Sequence, residues 1–297
     1  MSGAAVVNIM MTGATGYLGR RLIHQLNGAN HHIAALKRAT STLPEQAGQW
    51  RNVHWHDIEC ESIADIVDRY QRIDVIVHLA TDYGRGDEAS LAPFRVNLAL
   101  PMSLIDAVLK CGEVTVINTD SFFTALNDYD YLRAYILSKR QFLEWGRLLA
   151  EAQRLRFVNC RVFHMYGPDD SEEKFVNRLV RQCREHASPI ALTSGAQQRD
   201  FVYVDDVVSA LMTVLNRLDG YRPGCIHHDV GTGQAMSVKT LVETIHRLTR
   251  SRSVLQFGAL PTRAGEPERM VADPASLRAL GWAPAVDLVR GIQAIIG

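Results

Sequence analysis

The stretch Thr12-Gly13-Ala14-Thr15-Gly16-Tyr17-Leu18-Gly19 decides the fold. It follows a short apolar run, Val6–Met11, interrupted only by Asn8, and it opens an amphipathic segment, Tyr17–Leu26. In that strand–turn–helix setting the G-x-x-G-x-x-G spacing has a physical meaning. Gly13 makes the tight turn, Gly16 lets backbone approach a pyrophosphate, and Gly19 lets the helix pack closely on the sheet. The unpaired N–H groups and positive dipole at the helix start then favour phosphate. Without the flanking strand and helix, three glycines would mark only an ordinary turn.

The pattern continues outward from there. His32–Leu36, Val53–His56, Asp74–Leu79, Val114–Asn118 and Arg156–Phe163 read as strands, and Ser62–Tyr70, Phe94–Lys110 and Tyr131–Ala152 as helices between them. Strands apolar on both faces, alternating with helices, predict a doubly wound α/β fold of Rossmann type, with a parallel sheet covered on both sides. After Tyr166-Gly167-Pro168 the rhythm loosens. Helices are expected at Phe175–Glu185, Asp205–Leu218 and Val238–Leu248, with a strand at Cys225–Val230. The chain therefore divides into a dinucleotide-binding domain over 1–165 and a smaller α/β substrate lobe over 166–297, with segments returning to the sheet.

Composition narrows the function classes. Lys+Arg and Asp+Glu number 32 each in 297 residues, so no global field points to nucleic acid or to a membrane surface. The apolar runs are strand-length, where a span needs about 20 residues. The N-terminus carries no export signal, and the five cysteines, at 60, 111, 160, 183 and 225, form no C-x-x-C pair. Reduced thiols in a cytoplasmic protein are expected. The paired histidines His31-His32, His54/His56 and His227-His228 lack further ligands at site-like spacing, so no metal is expected.

Two features carry chemistry. The second strand ends in Ala35-Leu36-Lys37-Arg38, with no carboxylate before Glu45. An acidic residue there holds a ribose 2′-hydroxyl, whereas a cation suits a 2′-phosphate, so NADP(H) is expected. Tyr135 and Lys139 stand four apart, on one face of a helix. A neighbouring ammonium favours phenolate, and a phenol so tuned can exchange a proton with a carbonyl oxygen. The polar cluster Asn118-Thr119-Asp120-Ser121 ends the fifth strand, on the side where open α/β sheets place ligands. His164 ends the sixth strand on that side and is a candidate to line the site.

These motifs, with His78-Leu79-Ala80, Tyr166-Gly167-Pro168 and Arg199-Asp200-Phe201-x-Tyr203-Val204-Asp205-Asp206, occur in the order that resembles extended short-chain dehydrogenase/reductases acting on nucleotide sugars. The resemblance covers essentially the whole chain. It implies a Thr–Tyr–Lys catalytic set, here Thr119, Tyr135 and Lys139. It implies dinucleotide contacts from Gly13, Thr15, Gly16, Tyr17, Leu18, Lys37, Arg38, Asp57, Ile58, Leu79, Ala80, Thr81 and Asn97, with Asp57 on the adenine. For the sugar nucleotide it implies Asp82, Tyr83, Asp120, Ser121, His164, Lys174, Phe175, Arg199 and Arg263, the two arginines on its phosphates. It also implies a homodimer through the helices near 94–110 and 131–152.

Leu79–Gly84, Asn118–Phe123, Tyr135–Phe142 and Thr193–Phe201 are similar to the CDP-linked, NADPH-dependent 4-ketoreductases that form abequose and paratose. That implies reduction of a 4-keto-6-deoxy or 4-keto-3,6-dideoxy nucleotide sugar, feeding synthesis of a glycan such as lipopolysaccharide O-antigen. The base, the 3-position and the C4 configuration stay open. A 4,6-dehydratase or 4-epimerase is the nearest alternative. Dehydratases of the family follow Thr with Asp-Glu, where this chain has Asp120-Ser121, and a hydroxyl is a poor replacement for a carboxylate base. A non-catalytic dinucleotide sensor on the same fold is the alternative of another class, set against it by the complete Thr–Tyr–Lys set.

Overall fold

The computed structural model describes residues 6–85, 90–126, 131–221 and 223–297. The order begins β1 (Asn8–Thr12), α1 (Tyr17–Gly28), β2 (His32–Lys37), β3 (Val53–Asp57), α2 (Ile63–Tyr70) and β4 (Val75–His78). It continues through α3 (Ala92–Phe94), a π turn (Arg95–Ala99), α4 (Leu100–Val108), β5 (Thr115–Ser121), α5 (Arg133–Glu151), β6 (Arg156–Val162) and β7 (His164–Tyr166). Next come α6 (Phe175–Arg184), β8 (Ile190–Leu192), β9 (Gln198–Arg199), β10 (Phe201–Tyr203), α7 (Val204–Leu215) and β11 (Gly224–Val230). The chain closes with β12 (Met236–Ser237), α8 (Val238–Leu248), β13 (Leu255–Phe257), β14 (Arg269–Met270), α9 (Ala275–Ala279) and α10 (Leu288–Ile296).

A seven-stranded sheet has the order β11-β6-β5-β4-β1-β2-β3. The pairings from β3 through β2, β1 and β4 to β5 are parallel. This is the Rossmann arrangement that the strand–helix alternation predicts. The order reverses between β1 and β4, so the carboxyl ends of these two strands flank the switch point where such sheets take ligands. Helix α1 buries Gly19, Leu22, Ile23 and Leu26, the i, i+3, i+4, i+7 stripe of an amphipathic helix. Helix α2 is capped by Ser62 Oγ, which accepts from the Asp65 amide at 3.1 Å.

Two elements differ from the sequence reading. The single helix expected over Phe94–Lys110 is broken into α3, the π turn and α4. Pro101 has no N–H to give the carbonyl of Asn97, so the regular ladder fails there and the wider turn takes its place. Strand β5 runs past Asn118 to Ser121 and is buried along its whole length. Thr119, Asp120 and Ser121 are therefore held by the sheet.

The chain forms two compact units. The first comprises Met1–Ala125, Tyr131–Arg161 and Leu211–His228; the second comprises Leu126–Asp130, Val162–Ala210 and Asp229–Gly297. The core of the first includes Met10, Leu36, Ile66, Ile76, Leu104, Val116, Phe142 and Phe157. In the second, the Asp200 carboxylate accepts from Thr232 N, Thr232 Oγ1, Gly233 N and Ala272 N at 2.6–3.2 Å, tying three loops together. Asp206 likewise accepts from the amides of Ala285 and Val286. No helix among the described residues is long and apolar enough to cross a membrane.

Helix α5 approaches β6 through Gly146, where an added Cβ would fall on the ring of Phe157. Alanine in a helix gains about 1 kcal/mol over glycine, but overpacking a buried ring costs about 1–3 kcal/mol. Gly146→Ala is therefore expected to destabilise the protein. A lower midpoint of denaturant unfolding at unchanged slope checks this; a raised midpoint would show that the ring moves freely.

Candidate active site

The site begins at Thr12, the last residue of β1. Its Oγ1 accepts from the amides of Leu79 and Ala80, each at 3.2 Å, and shares a 2.8 Å hydrogen bond with His78 Nδ1. One hydroxyl thus pins together the carboxyl ends of the two strands at the switch point. Burial, with the Lys139 charge in a lesser role, holds His78 well below the ordinary histidine range, so this imidazole is neutral. Both stand in motifs that the sequence shows, Thr12 before the glycine turn and His78 before Leu79-Ala80, but their bond to each other is not legible there.

The glycine turn is shaped by contact. Gly13 has φ of 68°, and a Cβ there would stand 2.6 Å from the Ala80 amide nitrogen. A Cβ on Gly19 would strike the carbonyl oxygen of Gly13, and one on Gly16 would meet that oxygen at 3.1 Å. Helix α1 starts at Gly16 with no side-chain cap and no acidic residue in its first turn. Thr15, Tyr17 and Leu18 surround that start. The Tyr17 ring carries the Arg21 guanidinium 4.6 Å from its centre.

Around the ends of β2 and β3, Lys37 Nζ donates to Asp57 Oδ2 at 3.1 Å. The Asp57 carboxyl is held below its ordinary range, first by the Glu59 amide and then by Lys37. The Ile58 amide bonds the Lys37 carbonyl at 3.1 Å. Arg38 is exposed, and its amide donates to Ser41 Oγ at 3.2 Å. After β4, Thr81 Oγ1 donates to the Leu79 carbonyl. Asn97, in the π turn, accepts from the Asp82 amide at 2.9 Å. It also donates to the Asp82 carbonyl and to Ser138 Oγ, at 2.8 and 3.0 Å. Asn97 therefore fixes the peptide that leads into Tyr83.

Strand β5 and helix α5 bring the reactive groups together. Lys139 is 1% exposed, and its Nζ donates to the Thr119 carbonyl at 2.9 Å. Thr119 Oγ1 donates to the His78 carbonyl at 2.9 Å. The Ser121 hydroxyl accepts from the Phe123 amide at 3.3 Å. The Tyr83 ring lies 4.8 Å from the Tyr135 ring, and Phe123 meets Tyr135 edge-on at 6.5 Å. Sequence reasoning expects Lys139 to ease phenol ionisation. In the structure Tyr135 is raised well above its ordinary value, by burial first and then by Tyr83 and Asp120, against the Ser121 hydrogen bond. The physical reason is that the ammonium points at a backbone carbonyl while the phenol is desolvated under aromatic rings. Burial lowers Lys139 itself to about 8, opposed by Asp120.

The remaining candidates belong to the second unit. The His164 ring lies tilted beside that of Phe201 at 5.5 Å and is held down to about 3, by desolvation and then by the Arg199 charge. Arg199 is buried and bonds Glu266 at 2.7 Å, along with the carbonyls of Gln198 and Pro267. Lys174 pairs with Asp170 at 2.9 Å, just before Phe175 opens α6. Arg263 is exposed, in a turn closed by Glu266. Glu266 is a partner that the sequence alone does not indicate. Among the described residues no cluster of three or more His, Cys, Asp or Glu could hold a metal, and Cys60, Cys111, Cys160, Cys183 and Cys225 are free thiols.

The model of the NAD dependent epimerase/dehydratase family matches residues 9–226. The chain belongs to that family. CDP-abequose synthase of Salmonella typhimurium is 32% identical over 293 residues, covering 97% of each chain. Among solved structures, MoeE5 in complex with UDP-glucuronic acid and NAD superposes with a TM-score of 0.80 at 24% identity, over 97% of each chain. A UDP-glucuronic acid 4-epimerase variant from Bacillus cereus superposes with a TM-score of 0.80 at 20% identity, over 97% of this chain and 98% of that one. The epimerase/dehydratase family implies a nicotinamide dinucleotide. The turn at Gly13 and Gly16, where a Cβ would collide with backbone, and the uncapped start of α1 fit its pyrophosphate.

The buried lysine makes stability depend on pH. Its folded value, about 8, lies below the ordinary 10.5. In the window between them the unfolded chain binds more protons, so stability rises with pH. Between about pH 7 and pH 9 the Lys139 contribution to stability should increase by about 1 kcal/mol, and Tyr135, shifted the other way, adds no loss below about pH 10. The expected result is that unfolding free energy rises over this range relative to Lys139→Met. Parallel pH curves for the two proteins would show that the ammonium is not desolvated.

Proposed function

We propose that the protein is an NADPH-dependent 4-ketoreductase of a nucleotide-linked 4-keto-6-deoxy or 4-keto-3,6-dideoxy hexose. The observation that carries the reading is the juxtaposition of Tyr135, Lys139, Thr119 and Ser121 at one strand end, with a hydroxyl where a dehydratase would need a second carboxylate. The relationship to CDP-abequose synthase supports the same class of substrate. A dinucleotide on the Gly13–Gly19 turn supplies hydride to the carbonyl carbon when bound.

The residues divide the remaining work. Burial keeps Tyr135 protonated, so its proton is available to the ketone oxygen in the reductive direction. Ser121 ends the strand beside the phenol and eases its ionisation slightly against burial. Lys139 supplies positive charge beside the oxygen where negative charge develops, in a desolvated setting that strengthens it. Thr119 holds the strand end by its bond to His78 and contributes less to proton transfer, because its own hydroxyl proton is already placed. Tyr83 and Phe123 exclude water from the phenol.

General acid catalysis is typically worth about 10²–10⁴-fold. Tyr135→Phe should therefore lower kcat for NADPH-driven reduction by about that factor, with NADPH affinity nearly unchanged, and Thr119→Val should cost less. The assay is a panel of CDP-, dTDP- and UDP-linked 4-keto-6-deoxy and 4-keto-3,6-dideoxy hexoses, followed by NADPH oxidation and NMR of the product. No oxidation with any member, or full turnover by a folded Tyr135→Phe, overturns the reading.

The ion pair at the β2 end refines the choice of dinucleotide. Lys37 is already shared with Asp57, whereas the Arg38 guanidinium is exposed. Loss of a charged hydrogen bond to a 2′-phosphate costs about 1.5–3 kcal/mol, or roughly ten- to a hundredfold in affinity. Arg38→Ser should weaken NADPH by that factor with little effect on NADH, and Lys37→Ser should weaken it less. Fluorescence titration with both dinucleotides checks this; a wild-type preference for NADH contradicts it.

A further inference from the structure

The turn that follows β2 is tied to the turn that follows β3 by a ring of hydrogen bonds that the chemistry above does not use. The last ladder pair of the two strands is Lys37 with Asp57. Beyond it the Ile58 amide donates to the Lys37 carbonyl at 3.1 Å. The Asp57 carboxylate accepts on both oxygens, Oδ2 from Lys37 Nζ at 3.1 Å and Oδ1 from the Glu59 amide at 3.0 Å. Glu59 Oε2 in turn accepts from the Ala39 amide at 2.9 Å. Ala39 follows Arg38, so the contacts run from Lys37 through Asp57 and Glu59 to Ala39 and close on the chain at Arg38. Arg38 is itself held at both backbone groups by one residue. Its amide donates to Ser41 Oγ at 3.2 Å, and its carbonyl accepts from the Ser41 amide at 3.0 Å.

The sequence has no carboxylate between β2 and Glu45, yet the fold carries the Glu59 carboxylate to this place from the turn after β3. A carboxylate here has two opposing uses. As a ribose ligand it would accept from a 2′-hydroxyl and repel a 2′-phosphate. As a backbone acceptor it holds the amide next to Arg38. The geometry favours the second use: Oε2 lies at hydrogen-bond length from the Ala39 nitrogen, and the backbone of Glu59 is fixed in turn by Asp57. An arginine on an exposed turn must be ordered before it can grip an anion, and a backbone already fixed lowers that cost. We propose that Glu59 is a positioning residue that sets dinucleotide specificity, holding the Ala39 amide and so fixing the turn from which Arg38 reaches a 2′-phosphate. The inference rests on the reading of Arg38 as that cation. No sequence pattern marks it, because Ala39 and Glu59 stand 20 residues apart on different turns.

The test needs no turnover. Calorimetric titration with adenosine 2′,5′-bisphosphate and with AMP reads the adenosine end, and fluorescence titration with NADPH and NADH repeats the comparison on whole dinucleotides. The proteins are the wild type, Arg38→Ser, Glu59→Ala and Glu59→Gln. Glu59 is exposed, so neither of its variants disturbs the core. Glu59→Ala is expected to weaken the bisphosphate and NADPH by about three- to tenfold, the size of one ordinary hydrogen bond, and to leave AMP and NADH unchanged. Glu59→Gln keeps an oxygen for the Ala39 amide and is expected to bind like the wild type. Tighter bisphosphate binding by both variants would show that the carboxylate only repels the phosphate, and overturns the proposal. So does weaker binding of AMP and NADH by Glu59→Ala, which would make Glu59 a ribose ligand or a general support of the turn. Equal loss in Glu59→Gln and Glu59→Ala, or no change in either, overturns it as well. Arg38→Ser separates this inference from the reading beneath it. A selective loss of bisphosphate binding there, with both Glu59 variants unchanged, removes the positioning role alone, whereas undiminished bisphosphate binding by Arg38→Ser removes the 2′-phosphate reading and this inference with it.

Discussion

A lysine ammonium that water cannot reach is the constraint on which the rest of the site depends. Burial of the charge on Lys139 would be prohibitive without compensation, and the compensation comes from a single backbone carbonyl and one carboxylate. The carbonyl is that of Thr119, so the helix carrying Lys139 and the strand carrying Thr119 have one relative position that satisfies the amine. The close packing of Gly146 on Phe157 allows α5 to reach that position. Tyr135 then follows from helical geometry, one turn earlier on the same face. A backbone hydrogen bond, a glycine contact and a helix repeat together place the phenol.

The switch point is built on the same economy. Thr12 serves three groups with one hydroxyl, and Gly13 leaves no room for a Cβ against Ala80. The turn that faces phosphate and the strand end that faces the reactive groups are therefore parts of one rigid piece of the first unit. His78 belongs to both: its ring meets Thr12, and its carbonyl receives the Thr119 hydroxyl proton. A larger or charged side chain at position 78 would disturb both at once.

What the sequence makes legible follows from which interactions are local. The G-x-x-G-x-x-G turn, the Y-x-x-x-K face and the strand–helix alternation of the first half depend on neighbours within one element, and β1 to β6 stand where periodicity places them. The interior of the second unit depends on contacts far apart in the chain. Asp200 gathers amides from positions 232, 233 and 272, and no periodic pattern marks β12, β14 or α9. The break at Arg95–Ala99 is half legible: Pro101 announces a fault, but not that a π turn repairs it. At the site itself, charged residues are legible as charges and not as pairs. Lys37 and Arg199 read as cations, and nothing in the sequence indicates that Asp57 and Glu266 are their ion-pair partners.

The same distinction decides which proton chemistry the first unit can support. Elimination of water from a sugar needs an acid and a base acting on different atoms, and therefore two groups able to change protonation state near neutrality. The strand end offers Thr119, Asp120 and Ser121. The two hydroxyls cannot act as bases there, since a neutral hydroxyl takes up a proton only in strong acid. Asp120 is the remaining carboxylate, but one of its oxygens already accepts from Asn159 and Thr124, and its charge is set against that of Lys139. Beside the phenol of Tyr135 the strand end thus brings one carboxylate, that of Asp120, with an oxygen already held by Asn159 and Thr124, whereas reduction of a ketone requires a single proton once hydride has been delivered.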